Sequence, residues 1–225
     1  MLLPTFITNA NRFWVGALGG IGFLVGYSIP NHYHLYNPIL IQMPEWERNI
    51  PLMPWTVYIY FTEYALFLVA YMMFKKDDNR MKYLWSFYGC LFIAMVFFIF
   101  YPTTYPRADY PLLPESTNWF TYTVFTLLRS IDDPSNSFPS LHVACCFNAA
   151  FCFLQKGEAR WKFWLFFLWA GLVAWSTLTT KQHYVIDIIG GLVLSLGGYW
   201  LFVKKSNVVP LQHFIEKNLL LKKFR

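Results

Sequence analysis

The chain has 225 residues, of which 56% are apolar and 13% charged, about half the roughly 25% charged content of an ordinary soluble domain. That balance, with 21% aromatic residues, excludes a soluble enzyme, a disordered segment and a coiled coil. The net charge of +6 comes from 18 Lys and Arg against 12 Asp and Glu. These basic residues flank apolar runs instead of forming one stripe, which speaks for membrane topology over nucleic-acid binding.

Taken in chain order, the long apolar runs read as helices crossing a bilayer about 30 Å thick. Arg12 precedes the first, Phe13–Ile29. It lacks a short apolar core followed by a small-residue cleavage site, so it is read as a retained anchor, with all 225 residues in the mature protein. The stretch from Asn31 to Pro54 carries His32, His34 and Trp46 among prolines, with Trp55 beyond it, and suits a re-entrant or interfacial piece at headgroup level. The second and third runs are Trp55–Phe74 and Tyr83–Tyr101. The loop from Pro102 to Phe138 is longer than a simple connection needs, as functional loops often are. Within it, Thr117 to Ile131 reads as a short amphipathic helix carrying Arg129. The fourth run, Pro139–Leu154, is the shortest and is interrupted by Asn148; Phe163–Thr180 and Val185–Val203 complete the set.

The expected fold is therefore an all-α polytopic bundle of six transmembrane helices with a short extracytoplasmic helix. It forms one domain over 1–225, with a core of about 55–203, an N-terminal span and interfacial segment over 1–54, and a basic tail over 204–225. Six spans place both termini and the loops 75–82 and 155–162 on one side. Fourteen of the 18 basic residues fall there, which assigns that side to the cytoplasm. The four exceptions are Arg48, Arg107, Arg129 and Lys181. The cysteines, Cys90, Cys145, Cys146 and Cys152, all sit inside apolar segments and read as small buried hydrophobes without disulfides.

Arg107, Arg129 and Lys181 lie near span ends, at the level of two histidines. His142 follows Ser137-Phe138-Pro139-Ser140-Leu141, where Pro139 suits a first helical turn and the free amides of a helix start suit an anion. His183 and Asp187 are four apart at the start of the last run, on one helical face. A carboxylate on one imidazole nitrogen fixes the tautomer and leaves the other as base or nucleophile. With His142 as proton donor and cations nearby, these are the parts for phosphoryl transfer through a histidine intermediate. Glu63 lies about 12 Å inside the second run at 1.5 Å per residue. It reads either as a functional acid or as a protonated acid bonding a neighbouring helix, and Asn148 as interhelical glue. His32, His34 and His213 read as surface residues.

Two elements carry a family resemblance: Asn136-Ser137-Phe138-Pro139-Ser140-Leu141-His142, which matches Pro-Ser-x-His, and Ser176 through His183 to Asp187, which matches Ser-x6-His-x3-Asp. The chain resembles the type 2 phosphatidic acid phosphatase superfamily, with its nearest look to the inositol phosphorylceramide synthase-like branch. The resemblance implies His183 as nucleophile, Asp187 as its orienting partner, His142 as the acid for the leaving oxygen, and Ser140 as a phosphate contact. The family often has Arg after the serine of the last motif; here Thr177 follows Ser176, and Lys181 is the substitute cation. The family's Lys-x6-Arg-Pro is not intact either, with Phe100 at the lysine position and Ala108 after Arg107. The expected phosphate-binding set is Ser140, Arg107, Lys181, Arg129 and Ser176.

The leading expectation is a metal-independent membrane phosphatase, without cofactor, that hydrolyses the monoester or diphosphate of a lipid phosphate. The alternative is a lipid phosphotransferase passing the phosphoryl or phospho-head group to an alcohol. A non-enzymatic reading makes the histidines metal or haem ligands. A rhomboid-like serine protease is the weakest, because Ser140 lacks a Gly-x-Ser setting. The expected partners are a lipid phosphate and the bilayer, with no nucleic acid. The expected location is a bacterial inner membrane with the site facing the periplasm and both termini in the cytoplasm.

Overall fold

A computed structural model describes residues 1–33 and 35–216; His34 and residues 217–225 of the basic tail lie outside the described residues. The protein is mostly helical. Its elements are β1 (Leu2–Thr5), α1 (Arg12–His32), β2 (Ile39–Leu40), α2 (Glu45–Arg48), α3 (Val57–Met73), α4 (Asp77–Phe100), β3 (Thr103–Thr104), α5 (Trp119–Ile131), α6 (Leu141–Cys152), α7 (Arg160–Thr179), α8 (Val185–Gly198) and β4 (Asn207–Pro210). Among the described residues, five helices are long and apolar enough to cross a membrane: Arg12–Asn31, Pro54–Met73, Asp77–Phe100, Arg160–Thr179 and Val185–Lys204. The last continues α8 through one π-helical segment, Tyr199–Lys204.

The fourth apolar run forms the 12-residue helix α6, too short to count as a span by length. It is also the most enclosed element, with every residue but Phe151 buried. Its small side chains, Ala144, Cys145, Cys146, Ala149, Ala150 and Cys152, let neighbouring helices approach closely. Helices α3, α4, α7 and α8 pack around it. Gly191 brings α8 nearest, since a Cβ there would lie 2.6 Å from the Ser140 carbonyl oxygen. The four cysteines are free and buried in this core.

Local chemistry sets the helix ends that frame the site. Asp77 and Asp78 occupy the first turn of α4, where negative charge complements the helix dipole. Asn118 caps α5 by accepting from Thr121 N at 2.9 Å. Ser140 caps α6 by accepting from Val143 N at 3.4 Å, so the helix begins at Leu141 and Pro139 stands before the cap instead of in the first turn. Two short parallel pairs escape the apolar pattern: β1 with β4, Leu2 opposite Asn207, and β2 with β3, Ile39 opposite Thr103. The second pair fastens the 31–54 segment to the long loop that leads to α6.

Candidate active site

The two motif histidines meet where α6 and α8 begin, with ring centroids 5.4 Å apart. The motifs are also tied through the backbone, because Ser140 N donates to Asp187 O at 3.0 Å. His183 Nδ1 lies 3.0 Å from Ser137 O and 3.3 Å from Asp187 Oδ2. With Nδ1 turned to these acceptors, Nε2 is the nitrogen left for chemistry. Asp187 Oδ2 also accepts from Tyr184 N at 2.8 Å, so the residue that orients His183 caps the helix that carries it. The first motif thus helps aim the histidine of the second, through Ser137.

His142 is held by a set of side chains that a motif search does not collect. Its Nδ1 lies 2.7 Å and 2.9 Å from the two carboxyl oxygens of Glu63, which is buried in α3. Its Nε2 lies 2.7 Å from Tyr60 Oη. Tyr60 donates its single proton to Asp132 Oδ2 at 2.9 Å, so toward His142 it accepts, and Nε2 carries a proton. With Glu63 on Nδ1 and Asp132 3.7 Å from Nε2, the ring is bracketed by two buried acids.

Asp132, just after α5, gathers the site's upper edge. Tyr27 Oη donates to its Oδ1 at 2.5 Å, and Arg107 stands 3.7 Å from its Oδ2. Burial alone opposes ionisation of this carboxyl. The charges of His142 and Arg107 and the Tyr27 hydroxyl outweigh burial and hold it well below the usual carboxylate range. Arg107 also donates to the Asp132 carbonyl and to Gln182 Oε1, linking the long loop to the turn before His183.

The other residues singled out in the sequence are placed as follows. Lys181 is buried with a left-handed φ of 60°; it reverses the chain after α7, so that Gln182 N and His183 N both meet Thr177 O. Its Nζ donates to Ile50 O at 2.5 Å and stands 4.3 Å from the centre of the Tyr110 ring. Burial lowers its basicity, partly offset by Glu47. Arg129 donates to Tyr110 O and stacks on Phe125; burial and the Arg107 charge pull it down to about 10. Ser176 is buried in α7, its hydroxyl bonded to Val173 O at 2.6 Å. The structure thus brings His142, His183, Asp187, Ser140 and Arg107 together, while the side chains of Lys181, Arg129 and Ser176 bond to backbone carbonyls outside that group.

Tyr27, Tyr60, Asp132 and Gln182 were not singled out in the sequence. Tyr60 was within reach, because it is three residues before Glu63 and so shares its helix face. Glu47 also joins here: its Oε1 accepts from Val185 N at 2.6 Å, fixing the start of α8 from a distant segment. Among the described residues, no group of three His, Cys, Asp or Glu side chains is arranged to hold a metal ion.

A family model described as the PAP2 superfamily matches residues 46–201. The inositol phosphorylceramide synthase of Candida albicans is 42% identical over 60 residues, which is 27% of this chain and 12% of that protein. The chain therefore spans a small part of that relative's length. Among solved structures, the crystal structure of Aquifex aeolicus LpxE is similar at a TM-score of 0.47 and 16% identity, over 80% of this chain and 93% of that one.

Proposed function

Because the chain belongs to the PAP2 superfamily, we propose that it is a metal-independent integral-membrane enzyme that cleaves a lipid phosphate through a phosphohistidine on His183. The observation that carries this reading is the facing pair of histidines, 5.4 Å between centroids, each with Nδ1 bound by a buried acid. In this mechanism His183 Nε2 attacks phosphorus while the P–O bond to the lipid breaks. His142 gives its proton to the departing oxygen, and the lipid alcohol leaves. Water then attacks the phosphohistidine, the P–N bond breaks, His142 regains a proton and inorganic phosphate leaves. Arg107 and Ser140 receive the phosphate, Asp187 and Ser137 hold the nucleophile, and Glu63, Tyr60 and Asp132 keep the acid loaded. Lys181, Arg129 and Ser176 serve the phosphate indirectly, through the Ile50, Tyr110 and α7 backbone that they fix.

A second reading passes the phospho group to an alcohol instead of water. It is favoured by the state of the cations: Arg107 is engaged by Asp132 and Gln182, Arg129 by Tyr110 and Lys181 by Ile50. With the charges of these three described residues already engaged, a singly charged phosphodiester suits the site better than a doubly charged monoester. The likeness to an inositol phosphorylceramide synthase points the same way. In this reading α6 serves as a sixth, short span, and the distribution of basic residues in the sequence favours a site on the outer face of a bacterial inner membrane with both termini in the cytoplasm. The test is phosphate release by the purified protein from a panel of lipid phosphates in EDTA, beside His183→Ala. Release that the variant lacks supports hydrolysis. Product formed only when a long-chain alcohol is added supports transfer, and turnover retained by His183→Ala overturns both.

A further inference from the structure

Between α1, α3 and α4 lies a furrow of about 170 Å³ with an almost wholly apolar lining. Its floor is a cluster of Phe23, Phe67 and Phe87, with ring centroids 5.3 to 5.8 Å apart. Its rim is Gly20 and Leu24 on α1 and Tyr64 and Leu68 on α3, and the three larger rim residues are exposed on the lipid-facing side. The furrow is built into the fold, because α1 is fastened at both ends. At one end Tyr71 Oη donates to Arg12 O at 2.6 Å, and two turns further on Tyr88 Oη donates to Gly19 O. At the other, Tyr27 bonds Asp132 and Asn31 bonds Ile131 O. Glycines divide the work between these points. A Cβ at Gly16 would lie 2.7 Å from the Tyr71 ring, so that glycine allows close approach, whereas one at Gly20 would meet no heavy atom within 4 Å.

The upper end of the furrow adjoins the residues that hold His142. Phe23 stacks on Tyr27, whose ring stands 6.1 Å from His142 and whose hydroxyl holds Asp132. On α3 the rim residue Tyr64 directly follows Glu63, the partner of His142. From there the furrow descends to Gly16 and Tyr71, about 10 to 12 Å at 1.5 Å per residue. A space of about 170 Å³ is too small to seat an α-helix about 10 Å across with its side chains, which argues against a helix of a second copy as its occupant. Water gains too few polar partners in an apolar lining to occupy it, and a charged head group finds no counter-charge. We propose that the furrow seats one acyl chain of the lipid whose phosphate is cleaved at His183, an inference that rests on the function proposed above. Helix α1, which forms one wall, lies outside the residues that match the family model. An acyl chain leaves one apolar medium for another here, so fit and not transfer from water does the selecting. The signature is chain-length discrimination.

The experiment compares kcat/KM for dipalmitoyl and dihexanoyl phosphatidic acid, in one detergent, for the wild type, Gly20→Leu, Leu68→Trp and Leu18→Phe. Leu18 is 66% exposed on the outer face of α1 and does not line the furrow. Filling the furrow from either wall is expected to lower the long-to-short ratio by at least about tenfold, as expected of a pocket that excludes extra methylenes. Leu18→Phe is expected to leave the ratio unchanged. An unchanged ratio in both furrow variants overturns the proposal. Photocrosslinking with phosphatidic acid carrying a terminal diazirine on its acyl chain reads the same site without turnover. Label concentrated on furrow residues such as Phe87, and lost in Gly20→Leu, supports the proposal even for a protein that cleaves no lipid. Label spread evenly over outer positions such as Leu18 and Ile21 overturns it, even for an active one.

Discussion

Glu63 is the residue whose replacement reports most directly on how His142 is loaded. Its carboxyl group is buried in α3 and meets Nδ1 at 2.7 Å. In Glu63→Gln an amide oxygen still accepts that N–H, so the ring keeps its orientation and loses only the charged partner. A hydrogen bond to a charged group contributes about 1.5–3 kcal/mol against about 0.5–1.5 for a neutral one. The difference of about 1 to 1.5 kcal/mol corresponds to a loss of roughly tenfold in turnover. Glu63→Ala removes both charge and acceptor and leaves a buried imidazolium unpaired. Breaking such a pair costs about 3–5 kcal/mol, or a loss of about two to four powers of ten if it falls on the reacting state. The assay is kcat on a turned-over lipid phosphate, with retention of fold checked by gel-filtration profile and thermal unfolding. Wild-type turnover in a folded Glu63→Ala protein would refute the assignment of Glu63 to the acid.

Three further outcomes follow from the geometry. Gly191→Ala places a methyl group 2.6 Å from Ser140 O, so it is expected to lower unfolding stability by about 1–3 kcal/mol and to reduce turnover by prising α8 from α6; Gly197→Ala, whose Cβ meets no heavy atom within 4 Å, is the control and changes neither. The depressed Asp132 carboxyl contributes stability that is present above the usual carboxylate value of about 4 and is lost as pH falls through its lower folded value. The melting advantage of the wild type over Asp132→Asn should therefore shrink as pH falls below about 4; an advantage that persists undiminished in strong acid contradicts that direction. Treatment with EDTA is expected to leave turnover unchanged, and loss of activity restored by added zinc or magnesium contradicts a metal-independent mechanism.

Long apolar runs survive as helices because each satisfies its own backbone and needs little from its neighbours. That is why Trp55–Phe74, Tyr83–Tyr101 and Phe163–Thr180 are legible in the sequence, each overlapping an observed helix. The fourth run is the instructive one. Its length falls short of a span, while its small residues are what let α6 sit at the centre of the bundle. Sequence spacing also brings His183 and Asp187 onto one face, since four residues make about one turn. The second histidine's environment follows no such rule. Glu63, Tyr60, Asp132 and Tyr27 come from three separate segments, and only folding brings them to one imidazole. Glu63 alone signals itself, as an acid deep in an apolar run. Lys181 shows the converse. Read as a cation for phosphate, it bonds Ile50 O and shapes the turn before His183 through its left-handed backbone, which charge and position in the sequence do not reveal.

The most direct measurement is a rapid acid-free quench of the protein during turnover of a phosphorus-labelled lipid phosphate, followed by peptide mapping. The label is expected on the peptide containing His183, bound through nitrogen, stable to alkali and released by acid. It should be absent in His183→Ala and accumulate where His142→Ala slows its formation less than its breakdown. Steady turnover with label on no histidine, or on His142 in its place, contradicts the assignment of His183 as nucleophile.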